Sequence, residues 1–229
     1  MPTIPDNHFL DANILIGCSA TYDALNEILN GYFRRDYIFH TSNTAQDEAE
    51  GVLRGRKNVA LQKLDKIFNM FPARQASVEE LDEVYERLGY GQYAGRNSDL
   101  SDDYLEVYKS ELVDQINSEN RRKAINDASK RFQQARANLS NNLQRDNFHL
   151  SNCSGIDHKS LSKDQFDDLM DIIDYEPDVI IALDCSEISE ELGETVLLAT
   201  HDKGDFLGHK SSIEEKLPKV KVRTPASFL

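Results

Sequence analysis

The chain has 229 residues, 39% of them hydrophobic, and its 40 acidic against 26 basic side chains give a formal charge of −14. That size fits one domain, or one domain with a large insertion, and the charge argues against holding nucleic acid by bulk electrostatics. No run approaches the roughly 20 apolar residues that span a bilayer, so no membrane partner is expected.

The opening MPTIPDNHF has neither a basic nor an apolar leader segment, and a cytoplasmic location is the expectation. Cys18, Cys153 and Cys185 are far apart, form no CxxC, and read as reduced thiols. HFLDANILIG reads as a buried strand ending near Leu15, with Asp11 in its middle. A buried carboxylate costs several kcal/mol unless something neutralises it. Asp11 therefore stands at the strand's exit or has a partner. A helix is expected from about Tyr22 to Gly31, and a second strand from Asp36 to His40.

TSNTAQDEAEGVLRG opens with capping residues and turns helical, with Ala45, Ala49, Val52 and Leu53 on its apolar face. Leu61, Leu64, Ile67, Phe68 and Phe71 continue that period, and Ser77 with Glu80 forms a capping box for a helix to about Leu88. From Gly89, GYGQYAGRNSD reads as a loop. The polar stretch from about Asp102 to Arg145 carries two apolar stripes, Leu105–Ile116 and Ile125–Leu143. One helix of that length would reach roughly 65 Å, so a hairpin broken near NSEN is favoured.

The second arm of this hairpin is the basic region, with Arg121, Arg122, Lys123, Lys130, Arg131, Arg136 and Arg145. A solvated helix face explains such a run, and a phosphate contact is the rival reading, with Arg121, Arg122, Lys123, Lys130 and Arg131 as its candidates. Further on, SLSKDQFDDLMDIIDYE reads as an amphipathic helix with Phe166, Leu169, Met170 and Ile173 inward. Pro177 opens the next helix at a first-turn position where its missing N–H costs nothing, although VIIAL also has strand character. Gly193 ends that helix, TVLLAT is a buried strand with HDKGDF at its exit, and KVKVR is a last strand. Strands and helices alternate at both ends of the chain, which predicts an α/β fold with helices on both faces of a central parallel sheet.

HFLDAN and LLATHDKGDF are both apolar strands that run into an acid. If they are neighbours in a parallel sheet, Asp11 and Asp202 share the crevice at the strands' carboxyl ends. Asp205 can reach it from the following turn, Asp178 from the first turn of the preceding helix, and Glu48 from the border of the inward face of its own helix. Clustered carboxylates repel and their pKa values rise without a counter-cation. A hard divalent ion with oxygen ligands, Mg²⁺ or Mn²⁺, resolves this, and such an ion activates water for phosphodiester hydrolysis. Taken singly, Asp178 is also explained by a helix N-terminus, Glu48 by surface charge and Asp205 by capping. His201 reads as incidental.

FLDANILI, SNTAQDEAEGVL, PDVIIALDC and LLATHDKGDF together resemble the acidic motifs of PIN-domain ribonucleases. The resemblance implies a PIN-like α/β/α nuclease domain over 1–88 and 177–229, with 89–176 as a long helical insertion. It implies metal-dependent cleavage of single-stranded or structured RNA by Asp11, Glu48, Asp178, Asp202 and Asp205. Asp11, Asp178, Asp202 and Asp205 would bind Mg²⁺ or Mn²⁺, with Asn13, Ser42 and Thr200 in support. Glu50 competes with Glu48 as the helix acid. Many members are toxins of toxin–antitoxin pairs, so an antitoxin or other protein partner is implied beside the RNA. The insertion's arms could pair within one chain or across a homodimer. The rival from another class is a non-catalytic PIN-like module that binds protein or RNA through the insertion. A haloacid-dehalogenase phosphatase ranks last, because Asn13 stands where that chemistry needs a second acid.

Overall fold

The computed structural model describes residues 5–71, 75–90, 100–151 and 158–228. Five parallel strands form one sheet, flanked by helices in an α/β/α arrangement: β1 (Asn7–Leu10), β2 (Ile38–Ser42), β3 (Phe148–Ser151), β4 (Val196–Ala199) and β5 (Val220–Arg223). Their order is β3-β2-β1-β4-β5. The chain steps outward from β1 to β3, then returns to the other side of β1 for β4. The switch point, where such sheets bind ligands, therefore lies at the carboxyl ends of β1 and β4. Every residue of these two strands is buried, as a sheet covered on both faces requires.

β1 is shorter than the sequence suggests. It stops at Leu10, and ANILIGCS forms a helix, α1 (Ala12–Ser19), capped by Asp11. Ala12, Ile14, Leu15, Ile16 and Cys18 are all buried, so this helix lacks the polar face that would distinguish it from a buried strand. Helix α2 (Asn26–Tyr32) starts later than expected, after turns through residues 21–25. Helix α3 (Asn43–Met70) follows β2 directly, with Ser42 as its N-cap accepting from the Ala45 amide at 3.3 Å. It buries Ala45, Ala49, Leu53, Ala60, Leu64 and Ile67.

Helix α4 (Val78–Leu88) carries the full Ser77–Glu80 capping box and ends on Gly89 at φ 71°. Most of GYGQYAGRNSD lies outside the described residues. The expected hairpin is three helices, α5 (Leu100–Val107), α6 (Lys109–Asn117) and α7 (Arg121–Leu143). Its main break falls at residues 118–120, as the sequence indicates, with a further interruption at Tyr108. Ala124, Ala128, Phe132, Ala135 and Leu139 form the buried stripe of α7, which packs on α3 and α1. The Asn138 amide donates to the Ser19 carbonyl at 3.0 Å, and Phe132 lies 5.0 Å from the Tyr22 ring.

The stretch read as a helical insertion also supplies β3, which pairs with β2 from Phe39↔Phe148 to Ser42↔Ser151. Phe148 is buried while His149 and Leu150 are exposed, so no alternation of useful length signals this four-residue strand. The expected single helix around Phe166 is split into α8 (His158–Leu161) and α9 (Lys163–Met170), with Phe166, Leu169 and Ile173 buried. Cys153 lies outside the described residues, while Cys18 and Cys185 are free and buried. VIIAL is helical, within α10 (Glu176–Leu192), and Gly193 closes that helix at φ 69°. After β4, α11 (Lys210–Lys216) leads into β5, and Glu214 accepts from the Val222 amide at 3.0 Å. That bond occupies an N–H on an edge strand that would otherwise be open to pairing.

Candidate metal centre

β1 and β4 pair from His8↔Leu197 to Leu10↔Ala199. The residues that follow them, Asp11 and Thr200, consequently emerge side by side at the sheet's carboxyl edge. The Asp11 amide continues the ladder to the Ala199 carbonyl at 3.2 Å. Its carboxylate is 2% exposed and fully engaged: Oδ1 accepts from the Ala12 amide at 2.6 Å, and Oδ2 accepts from the Thr200 hydroxyl at 2.7 Å and from the Asn13 amide. Asn13 in turn accepts from the His201 amide at 3.0 Å, and Thr200 accepts from the Asp202 amide at 2.9 Å. Asp11 is therefore the post to which the start of the β4–α11 loop is tied.

That loop carries the next two acids. Asp202 Oδ1 accepts from the amides of Gly204 at 2.6 Å and Asp205 at 2.9 Å, a side-chain turn that folds the loop back on itself. Asp205 Oδ1 accepts from the Asp174 amide at 3.3 Å. Asp178 arrives from the first turn of α10, where Pro177 needs no hydrogen-bond acceptor. Asp178, Asp202 and Asp205 each offer an oxygen within 4.8 Å of the others. Asp11 is not one of this trio.

Two details mark the cluster as electrostatically unfinished. Asp178 is 6% exposed, yet among the described residues its carboxylate has neither a hydrogen bond nor a cationic partner. Glu48 Oε2 is likewise buried with no hydrogen-bond partner. Burial, followed by repulsion from Asp11, Glu48, Asp202 and Asp205, pushes the Asp178 carboxyl up to about 8. Burial, outweighing the Thr200 hydrogen bond, takes Asp11 up to about 7, with Glu48 and Asp202 adding to the rise. Burial and the Asp202 charge raise Glu48 as well. A hard divalent cation suits this donor set, which is all oxygen and has no compensating Lys or Arg among the described residues.

No family model, curated protein or solved structure matches the chain. The site stands on its own chemistry.

Of the two competing glutamates, Glu48 lines the cleft, whereas Glu50 accepts from Gln46 at 3.1 Å. Ser42 serves α3 as its cap. His201 donates its backbone amide to Asn13, and its ring lies 3.3 Å from the Thr224 hydroxyl. Two of the five candidate phosphate-binding residues are engaged within the protein. Arg121 pairs with Asp65, and Arg131 pairs with Glu111 at 2.7 Å while lying 3.6 Å from the centre of the Tyr108 ring. Arg122, Lys123 and Lys130 are exposed. Sequence reasoning missed the cleft wall beside Glu48, made by Asn43, Thr44, Asp47, Tyr175 and Pro177. The one signal for Tyr175 is its place three residues before Asp178.

Proposed function

We propose that this protein is a metal-dependent endoribonuclease of PIN-like type that hydrolyses phosphodiester bonds through the acids at the β1/β4 crevice. The observation that carries the reading is a buried, unpartnered Asp178 facing Asp202 and Asp205 at the switch point of a parallel sheet. Asp178, Asp202 and Asp205 would hold Mg²⁺ or Mn²⁺, and Asp11 would complete the negative field from behind. Such an ion supplies Lewis acidity toward the phosphodiester and activates water at neutral pH. Glu48, with an unpartnered Oε2 and a raised pKa, is suited to accept the proton of the attacking water at that oxygen. Asn13 and Thr200 orient Asp11 and fix the Asp202 loop, the supporting role that shapes metal sites elsewhere. Exposed Arg122, Lys123 and Lys130 are candidates for distant RNA phosphates.

The test is cleavage of end-labelled single-stranded RNA by purified protein in Mg²⁺ or Mn²⁺, with EDTA as the control. Cleavage that EDTA abolishes and that Asp11→Asn lacks is the expected result. Equal cleavage in EDTA, or by a folded Asp11→Asn protein, would sink the assignment.

A further inference from the structure

The nuclease reading leaves one exposed aromatic at the site unused. Tyr175 is 49% exposed, the residue immediately before α10, and its carbonyl accepts from the Asp178 amide at 3.0 Å. It shares an open cleft of about 560 Å³ with Asn43, Thr44, Asp47, Glu48 and Pro177. That volume is in the range of small-molecule sites. The Asn43 amide and Thr44 hydroxyl make no side-chain hydrogen bond among the described residues, so both are free to meet a ligand. Large aromatic side chains usually bury most of their area. A half-exposed ring beside an acidic cluster is poorly explained by packing.

The occupant must fit three features: a flat apolar face for the ring, hydrogen-bonding edges for an amide and a hydroxyl, and a link to the proposed reaction centre beside Glu48. A nucleobase satisfies all three, since every base has a π-face and polar edges. Resting on the nuclease reading, we infer that Tyr175 is the stacking platform of a nucleobase subsite next to the scissile phosphate, with Asn43 and Thr44 contacting the base edge. A base can lie there only when unpaired and turned out of its stack. The subsite thus sets where along a strand the cut falls, a property that the acids alone do not supply.

The experiment is an abasic scan. A set of otherwise identical single-stranded RNA oligonucleotides carries one abasic residue, moved stepwise past a mapped cleavage point, and wild type, Tyr175→Ala, Tyr175→Phe and Tyr175→Leu proteins are compared. Base stacking is worth about 1–3 kcal/mol, or roughly 5- to 150-fold. Wild type should lose that factor in kcat/KM at one abasic position and little elsewhere. Tyr175→Ala and Tyr175→Leu should be slower on intact RNA by a similar factor and indifferent to the abasic residue. Tyr175→Phe should keep the wild-type profile, because the ring and not the hydroxyl forms the platform. A merely structural loss would slow every substrate alike and leave the positional dip in place. Wild-type cleavage with no positional dip, or a dip that survives in Tyr175→Ala, overturns the inference alone. Absence of cleavage by wild type overturns the nuclease reading and the subsite with it.

Discussion

At the scale of single residues, the site is defined by how differently its carboxylates are treated. Asp11 is wrapped by three hydrogen-bond donors, whereas Asp178 is also buried and has none among the described residues. Both hold their protons far above the ordinary aspartate value of 3.8, Asp11 up to about 7 and Asp178 up to about 8. A group with a raised folded pKa binds more protons folded than unfolded, so its stabilising effect is complete at low pH and is lost as pH rises through the folded value. His8 and His40 act in the opposite direction. Burial lowers both from 6.5 to about 4, so the unfolded chain takes up protons first and stability falls as pH drops below about 6.5. Between about pH 4 and 6.5 the two effects oppose each other, so metal-free protein should lose stability chiefly above about pH 6.5 and melt lower at pH 8 than at pH 6. Saturating Mn²⁺ should raise Tm more at pH 8 than at pH 6, since it engages the ionised acids. Melting curves in EDTA and in Mn²⁺ across that range check this. A metal-free Tm that climbs steadily to pH 8 would contradict it.

At the scale of elements, the most informative part is the helical arm between β2 and β3. The alternating stripes of α6 and α7 are legible in the sequence because their polar faces are polar and their buried residues recur at three and four. Helix α1 is not legible, because a helix buried on nearly all sides shows the same apolar run as a central strand. β3 escapes for the opposite reason, being four residues long at the sheet's edge, with His149 and Leu150 exposed. The arm is joined to the core by Phe132, which is fully buried against Tyr22 and Tyr104. Phe132→Ala should cost about 3–5 kcal/mol and shift the single urea transition of the whole protein, followed by circular dichroism. A separate early transition, with the sheet unfolding where wild type does, would show that the arm is an independent unit.

At the scale of the whole molecule, fold and candidate site were readable to different depths. Apolar strands ending in Asp11 and Asp202 imply a parallel sheet whose carboxyl edge is acidic. The β1–β4 pairing bears out their adjacency. Asp11 as a direct member of the oxygen cluster could not be weighed from sequence, because its engagement depends on Thr200 meeting it across nearly the whole chain length, beside the neighbouring Asn13. The same holds for the choice of Glu48 over Glu50, which depends on the direction in which α3 leaves β2. The −14 charge gains a local meaning here. With no Lys or Arg among the described residues compensating the crevice, the fold concentrates negative charge where a cation, or a proton, relieves it.

The central claim is that Asp178, Asp202 and Asp205 are placed to hold a divalent cation, and calorimetric titration with Mn²⁺ tests it most directly. Wild type should bind Mn²⁺ at millimolar or lower concentration, and Asp178→Asn should bind at least ~10-fold more weakly while folding normally by circular dichroism. No binding heat for wild type at millimolar Mn²⁺, or equal affinity in Asp178→Asn, would contradict the account.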